Sequence, residues 1–140
     1  MARKAARPTL PSPMLAGYTG GANTEKIVKA VRAGVNTIYW SFLNLRNNGL
    51  IVGLDINQVL EVHRELTAEN ISVAHMVSIG GWNGRHDFSI GCTPGPCDGA
   101  RYAASFETLD AQIKAVGEGW PGFTGIDWDI EGHDNWNSTQ

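Results

Sequence analysis

Three carboxylates stand at alternate positions in one short segment: Asp127, Asp129 and Glu131 within Phe123-Thr124-Gly125-Ile126-Asp127-Trp128-Asp129-Ile130-Glu131. If the segment is a strand, alternation sends all three to one face and Ile126, Trp128 and Ile130 to the other. Taken alone, such a strand also reads as an ordinary element with one apolar face and one solvated acidic face. In a parallel α/β fold, however, both faces of the sheet are covered, and acids at the C-terminal end of a strand must face a cleft. Carboxylates crowded in a cleft repel one another, so one of them keeps a proton near neutral pH, as a general acid requires. Glu131, at the end of the strand and with the longest side chain, is best placed to deliver that proton.

The elements that must position this cluster alternate along the chain. Met14 to Tyr18 is a short apolar run closed by Thr19-Gly20-Gly21 and reads as a buried strand ending in a turn. A helix follows, with Asn23 as its N-cap, Ile27, Val28 and Val31 at helical spacing, and Gly34 where a C-terminal cap belongs. Asn36 to Leu43 is a second strand, followed by a polar Asn/Gly-rich loop. Asp55 then opens a helix carrying Ile56, Val59, Leu60 and Leu66, with Gln58 spaced as in a capping box. A third strand, Ile71 to Ser78, breaks at Gly80-Gly81 into a long loop. Tyr102, Phe106, Leu109, Ile113 and Val116 mark a third helix, and Phe123 to Glu131 a fourth strand. The pattern β-α-β-α-β-α-β implies parallel strands with right-handed crossovers, in a sheet that is either open and doubly wound or curved into a barrel.

Composition sets the outer limits. The chain has 140 residues, 42% hydrophobic and 18% charged, which fits one globular core and not a disordered tail. Its net charge of -3 and the lack of a basic stripe interleaved with aromatics argue against a nucleic-acid partner. No apolar run approaches the roughly 20 residues that span a bilayer, which argues against a membrane role. Residues 1–13 read as a basic N-terminal tail without a signal-peptide hydrophobic region, and the compartment stays open. Cys92 and Cys97 flank Thr93-Pro94-Gly95-Pro96, close enough for a small disulfide loop or equally two free thiols. With His86 they complete no familiar zinc spacing.

The acidic segment resembles the Asp-Gly-x-Asp-x-Asp-x-Glu signature of family-18 glycoside hydrolases, the chitinase family, and it lies where a fourth strand should. Ser78-Ile79-Gly80-Gly81-Trp82 resembles the family's second signature, Ser-x-Gly-Gly, at the end of the third strand. The resemblance covers nearly the whole chain after the tail. One departure is Thr124, where the family has Asp; its parity matches Trp128 and Ile130, so it bears on packing more than on chemistry.

The resemblance implies a partial (β/α)8 barrel over residues 14–140, about the first four strands and three helices of the catalytic domain. It also implies an extracellular setting and no cofactor. The implied reaction is retaining hydrolysis of chitin or related N-acetylglucosamine oligosaccharides, in which the substrate's own acetamido oxygen is the nucleophile. Glu131 would protonate the glycosidic oxygen, Asp129 would orient the acetamido group, and Asp127 would hold Asp129 by sharing a proton. Tyr18 and Ser78, at the ends of the first and third strands, match family positions close to the acid cluster, where they would either hydrogen-bond to Asp127 or stand as strand-end polar groups satisfied by backbone. Gly80 and Gly81 form a turn compatible with shaping the site, and Trp82, Trp136 and Trp40 are candidate stacking platforms for sugar faces, though each also reads as core or rim packing. Trp120 precedes the fourth strand, on the opposite end of a barrel, and is excluded from the site.

Two rival readings follow from the same residues. Asp127, Asp129, Glu131 and His133, with Asp134 beside them, would suit a metal-dependent hydrolase. A chitinase-like lectin would bind sugar without cutting it, but such proteins typically lose the acid that Glu131 retains. His75, alternating with apolar residues, reads as a satisfied core histidine. About half a barrel lies beyond these residues, so the isolated 140-residue chain is expected to self-associate or stay partly molten and to lack chitinase activity.

Overall fold

The computed structural model describes residues 9–45, 51–81 and 99–129. In chain order the elements are β1 (Ala16–Tyr18), α1 (Thr24–Arg32), β2 (Thr37–Leu45), β3 (Ile51–Val52), α2 (Ile56–Ala68), β4 (Ala74–Gly80), α3 (Gly99–Val116) and β5 (Gly125–Asp129). The sheet runs β1-β2-β4-β5, every neighbouring pair parallel, with β3 antiparallel on β2. Among the described strands the order therefore advances in one direction, without the reversal that marks a doubly wound sheet. The short strand β3 lies within the stretch read from sequence as a polar loop. It forms because Ile51 and Val52 pair with Leu45 and Asn44.

Helix ends are set by the residues the spacing pointed to. Asn23 Oδ1 accepts from Lys26 N at 3.0 Å, and Asp55 Oδ1 accepts from Gln58 N at 3.1 Å. Gln58 does not close a reciprocal capping box, because its amide donates instead to the Ala22 carbonyl at 2.8 Å and joins α2 to the β1–α1 loop. Beyond α1, Gly34 lies at φ +116 and the paired bonds Gly34 N to Val31 O and Val35 N to Ala30 O form a Schellman motif. Asn70 does the same after α2 at φ 57, and Ile71 N then donates to Leu66 O. That bond holds Ile71 in the cap, which is why β4 begins three residues later than the sequence pattern placed it.

The helices cover one face of the sheet. Ile27, Val28 and Val31 of α1, Val59, Val62 and Leu66 of α2, and Phe106, Leu109 and Ile113 of α3 pack onto Ile38, Trp40, Leu43, Val77 and Ile79. Val116 lies past this stripe and is exposed. β1 is also more exposed than its apolar sequence implies: Met14 and Leu15 before it and Tyr18 at its end are all about half exposed, because β1 is an edge strand that pairs only with β2 among the described residues. Asp110 of α3, buried at 2% exposure, pins the turn before β5 by accepting from Trp120 Nε1 at 3.0 Å, Phe123 N at 3.1 Å and Lys114 Nζ at 2.8 Å. No helix among the described residues is long and apolar enough to cross a membrane.

Candidate active site

The face of the sheet opposite the helices carries the polar residues. In β4 and β5, Ser78 is the register partner of Asp127 and Gly80 of Asp129. Ser78 is fully buried, and its Oγ donates to Asp127 Oδ2 at 2.7 Å. Tyr18, at the end of β1, donates its hydroxyl to the same oxygen at 3.0 Å. Two donors on one oxygen fix the plane of the carboxylate and leave Oδ1 without a hydrogen-bond donor among the described residues.

The Tyr18 contact also reports on the shape of the sheet. β1 and β5 are three strand spacings apart, about 14 Å in a flat sheet, and strand side chains stand roughly perpendicular to it. A 3.0 Å bond between the two edge strands requires the sheet to curl, so that side chains on this face converge. The face is therefore concave and its polar groups share one site.

Aromatic rings form the wall beside Asp127. Tyr18 stacks on Tyr39 at a centroid distance of 4.8 Å and on Phe42 at 5.7 Å. Partial burial, the hydrogen bond to Asp127 and the negative charges of Asp127 and Asp129 push the Tyr18 hydroxyl up to about 12, so it remains a donor throughout the physiological range. Phe42 is absent from the sequence reading for a definite reason. Strict alternation groups it with Trp40, on the helix-covered face, but the β2–β4 register shifts between Trp40 and Leu43. Leu43 consequently enters the core and Phe42 stands half exposed against Tyr18. Tyr39 falls within the strand that the sequence places at Asn36 to Leu43, with no further signal of its own.

Gly81 makes room for this wall. At φ +76, a Cβ on Gly81 would stand 2.8 Å from Phe42 Cγ, so a side chain here collides with the ring. Its N–H donates to the Asp129 carbonyl at 2.6 Å, which ties the end of β4 to the end of β5. The loop after β1 is fastened to β2 in a similar way: Ser41 N donates to Thr19 Oγ1 at 3.0 Å and Gly20 N to Ser41 Oγ at 3.1 Å.

Of the residues expected at the site, the structure brings together Tyr18, Ser78, Gly80, Gly81, Asp127 and Asp129. Glu131, Trp82 and Trp136 lie outside the described residues, as do His133, Asp134, Cys92 and Cys97. Trp40 is not a stacking platform: it is 2% exposed on the helix-covered face and donates its indole N–H to His75 Nδ1 at 3.1 Å. His75 is the core histidine the pattern implied, and Trp120 is buried before β5, away from the carboxylates. Thr124 donates its backbone N–H to the His75 carbonyl, while its Oγ1 is buried without a partner among the described residues. Among those residues, no three His, Cys, Asp or Glu side chains cluster as metal ligands.

No family model matches the sequence, and no curated protein matches it. Among solved structures the chain is similar to a chitinase from Chromobacterium violaceum, with a TM-score of 0.53, 19% sequence identity and alignment over 84% of this chain. The fold is chitinase-like. At this identity the likeness concerns fold alone: a mixed α/β arrangement built on a parallel sheet. The chain spans 35% of that chitinase's length.

Proposed function

We propose that the chain is the N-terminal part of a family-18 glycoside hydrolase barrel, hydrolysing β-1,4-linked N-acetylglucosamine polymers with retention at the anomeric carbon. The observation that carries this reading is the convergence of Tyr18 and Ser78, from the first and third parallel strands, on Asp127 Oδ2 of the fourth. Such convergence serves no purpose in an ordinary solvated acidic face, where each carboxylate is hydrated independently. It suits a carboxylate whose orientation matters to its neighbours along the strand.

In the proposed reaction Glu131 transfers its proton to the glycosidic oxygen as the bond to the anomeric carbon breaks. The acetamido oxygen of the substrate attacks that carbon and forms an oxazolinium ion. Asp129 holds the acetamido group and offsets the positive charge that develops on it. Asp127, clamped by Tyr18 and Ser78, holds Asp129. Water then opens the ion from the face the leaving group vacated, returning a proton to Glu131 and completing retention. Trp82 and Trp136 contribute sugar contacts in this reading, and Gly80 and Gly81 keep the end of β4 open beside the carboxylates.

The test uses a chain carrying the complete barrel. Glu131→Gln keeps the side chain's shape but cannot donate the proton, so turnover of a chito-oligosaccharide falls by at least about a thousandfold while binding persists. NMR of fresh wild-type product shows the β-anomer first. Inversion, or substantial hydrolysis by folded Glu131→Gln protein, refutes the assignment. Binding without any product from the wild type supports a lectin instead.

A further inference from the structure

On the helix-covered side of the sheet, near the strand N-termini, α2 and the turns before β4 and β5 enclose a cleft of about 340 Å³. His63 and His75 line it together with Thr67, Ser72, Leu66 and Pro121, and no lining residue is an Asp, Glu, Lys or Arg. It lies across the sheet from the carboxylates and does not depend on the function proposed for them.

The proton positions on both imidazoles follow from their partners. An indole N–H can only donate, so His75 Nδ1, 3.1 Å from Trp40 Nε1, is an acceptor and carries no proton. The single proton of the neutral ring is then on Nε2. That N–H has no acceptor among the described residues. The ring is 2% exposed and lines the cleft. His63 is the complement. Its Nε2 lies 3.1 Å from the Gly119 carbonyl, which can only accept, so Nε2 is the protonated nitrogen and Nδ1 is a bare acceptor. Burial lowers the proton affinity of both rings, that of His75 to about 3, so both stay neutral near pH 7. The rings meet edge to face with centroids 6.3 Å apart.

The cleft thus supplies an imidazole N–H donor and a bare imidazole nitrogen, set among the polar side chains of Thr67, Asn70 and Ser72 and apolar ones such as Leu66 and Pro121, with no full charge. A transition-metal ion does not suit it, because His75 cannot offer a lone pair at Nε2 while Trp40 occupies Nδ1. A charged ligand would meet no counter-charge. We propose that this cleft binds a small uncharged molecule bearing a carboxamide, whose oxygen accepts from His75 Nε2–H and whose N–H donates to His63 Nδ1. The apolar remainder of the ligand lies against Leu66 and Pro121.

Benzamide is a suitable probe, titrated into the full-length protein while the histidine ring nitrogens are followed by long-range 1H–15N NMR. Saturable shifts at His75 Nε2 and His63 Nδ1 are expected, with Kd in the millimolar range set by the few atoms involved. N,N-dimethylbenzamide, which lacks the N–H, binds about tenfold more weakly, and benzoate does not compete. Trp40→Phe leaves the walls in place but frees His75 Nδ1, so the tautomer redistributes and benzamide affinity falls severalfold. Equal binding of benzamide and its dimethyl analogue overturns the proposal, because it reduces the cleft to an apolar hollow. Failure of benzamide to saturate either histidine at its solubility limit overturns it as well, and neither result depends on a variant folding.

Discussion

Asp110→Ala is predicted to be among the most destabilising single substitutions outside the apolar core, although Asp110 is an acid on an amphipathic helix. Its Oδ1 accepts from both Trp120 Nε1 and Phe123 N, and its Oδ2 from Lys114 Nζ. Trp120 and Phe123 are buried at 6% and 0% exposure, so truncation strands two donors away from water. At about 1–3 kcal/mol for each stranded donor, the loss is about 2–6 kcal/mol, a large share of the ~5–15 kcal/mol that holds a typical domain. Lys114 is half exposed and its ion pair adds little. Asp110→Asn is the control, since its remaining Oδ1 can keep both buried bonds and lose only the lysine, for a cost under about 1 kcal/mol. Urea denaturation of both variants at pH 7 measures the difference. Equal losses for Asn and Ala, or an Ala variant within about 1 kcal/mol of wild type, would refute the account of how the turn before β5 is held. Burial alone would raise the Asp110 carboxyl, but its three donors outweigh that and hold it below the ordinary value. Its contribution is therefore present above the unfolded pKa and lost as pH falls through and below about 4.

Histidine burial predicts an earlier acid effect. His75 titrates near 3 in the fold and near 6.5 unfolded, so stability is full above about 6.5 and falls with pH below it, by about 2 kcal/mol between pH 7 and 5. His63 shifts in the same direction, and a flat stability profile over that interval would count against both. Asp127→Asn removes the charge that Tyr18 faces, so the tyrosine hydroxyl drops from about 12 toward its ordinary 10 in a 13C tyrosine NMR titration. A Tyr18 that still titrates near 12 would place the cause in burial alone. Thr124→Val replaces a buried, unpartnered hydroxyl by a methyl of the same shape and should raise stability by about 1 kcal/mol in urea denaturation; a net loss would mean that the hydroxyl has a partner in the folded protein.

What the sequence determined by itself was local. Caps at Asn23 and Asp55, the stripes Ile27/Val28/Val31 and Phe106/Leu109/Ile113, and the alternation of Asp127 with Ile126 all depend on neighbours within a turn or two, and each stands in the structure as its spacing implied, whereas Trp128, of the same parity as Ile126, is 45% exposed. The catalytic parts assigned to Asp127, Asp129 and Glu131 rest on resemblance to a signature and remain the proposal above. Tertiary structure decided everything that depends on partners distant in sequence. Sequence allowed Gln58 either to close its own cap or to reach elsewhere, and the packing of the β1–α1 loop turned it to Ala22. Phe42 had the parity of a core residue, but a register shift against β4 moved it to the site and sent Leu43 inward. Trp40, open in sequence to stacking on sugar or to core packing, is held in the core, where His75 of β4 offers its indole N–H an acceptor. The separation of 109 positions between Tyr18 and Asp127 is bridged by one hydrogen bond that exists only because the sheet curls. Curvature is a collective property of four strands and the helices behind them, so no single stretch of residues encodes it.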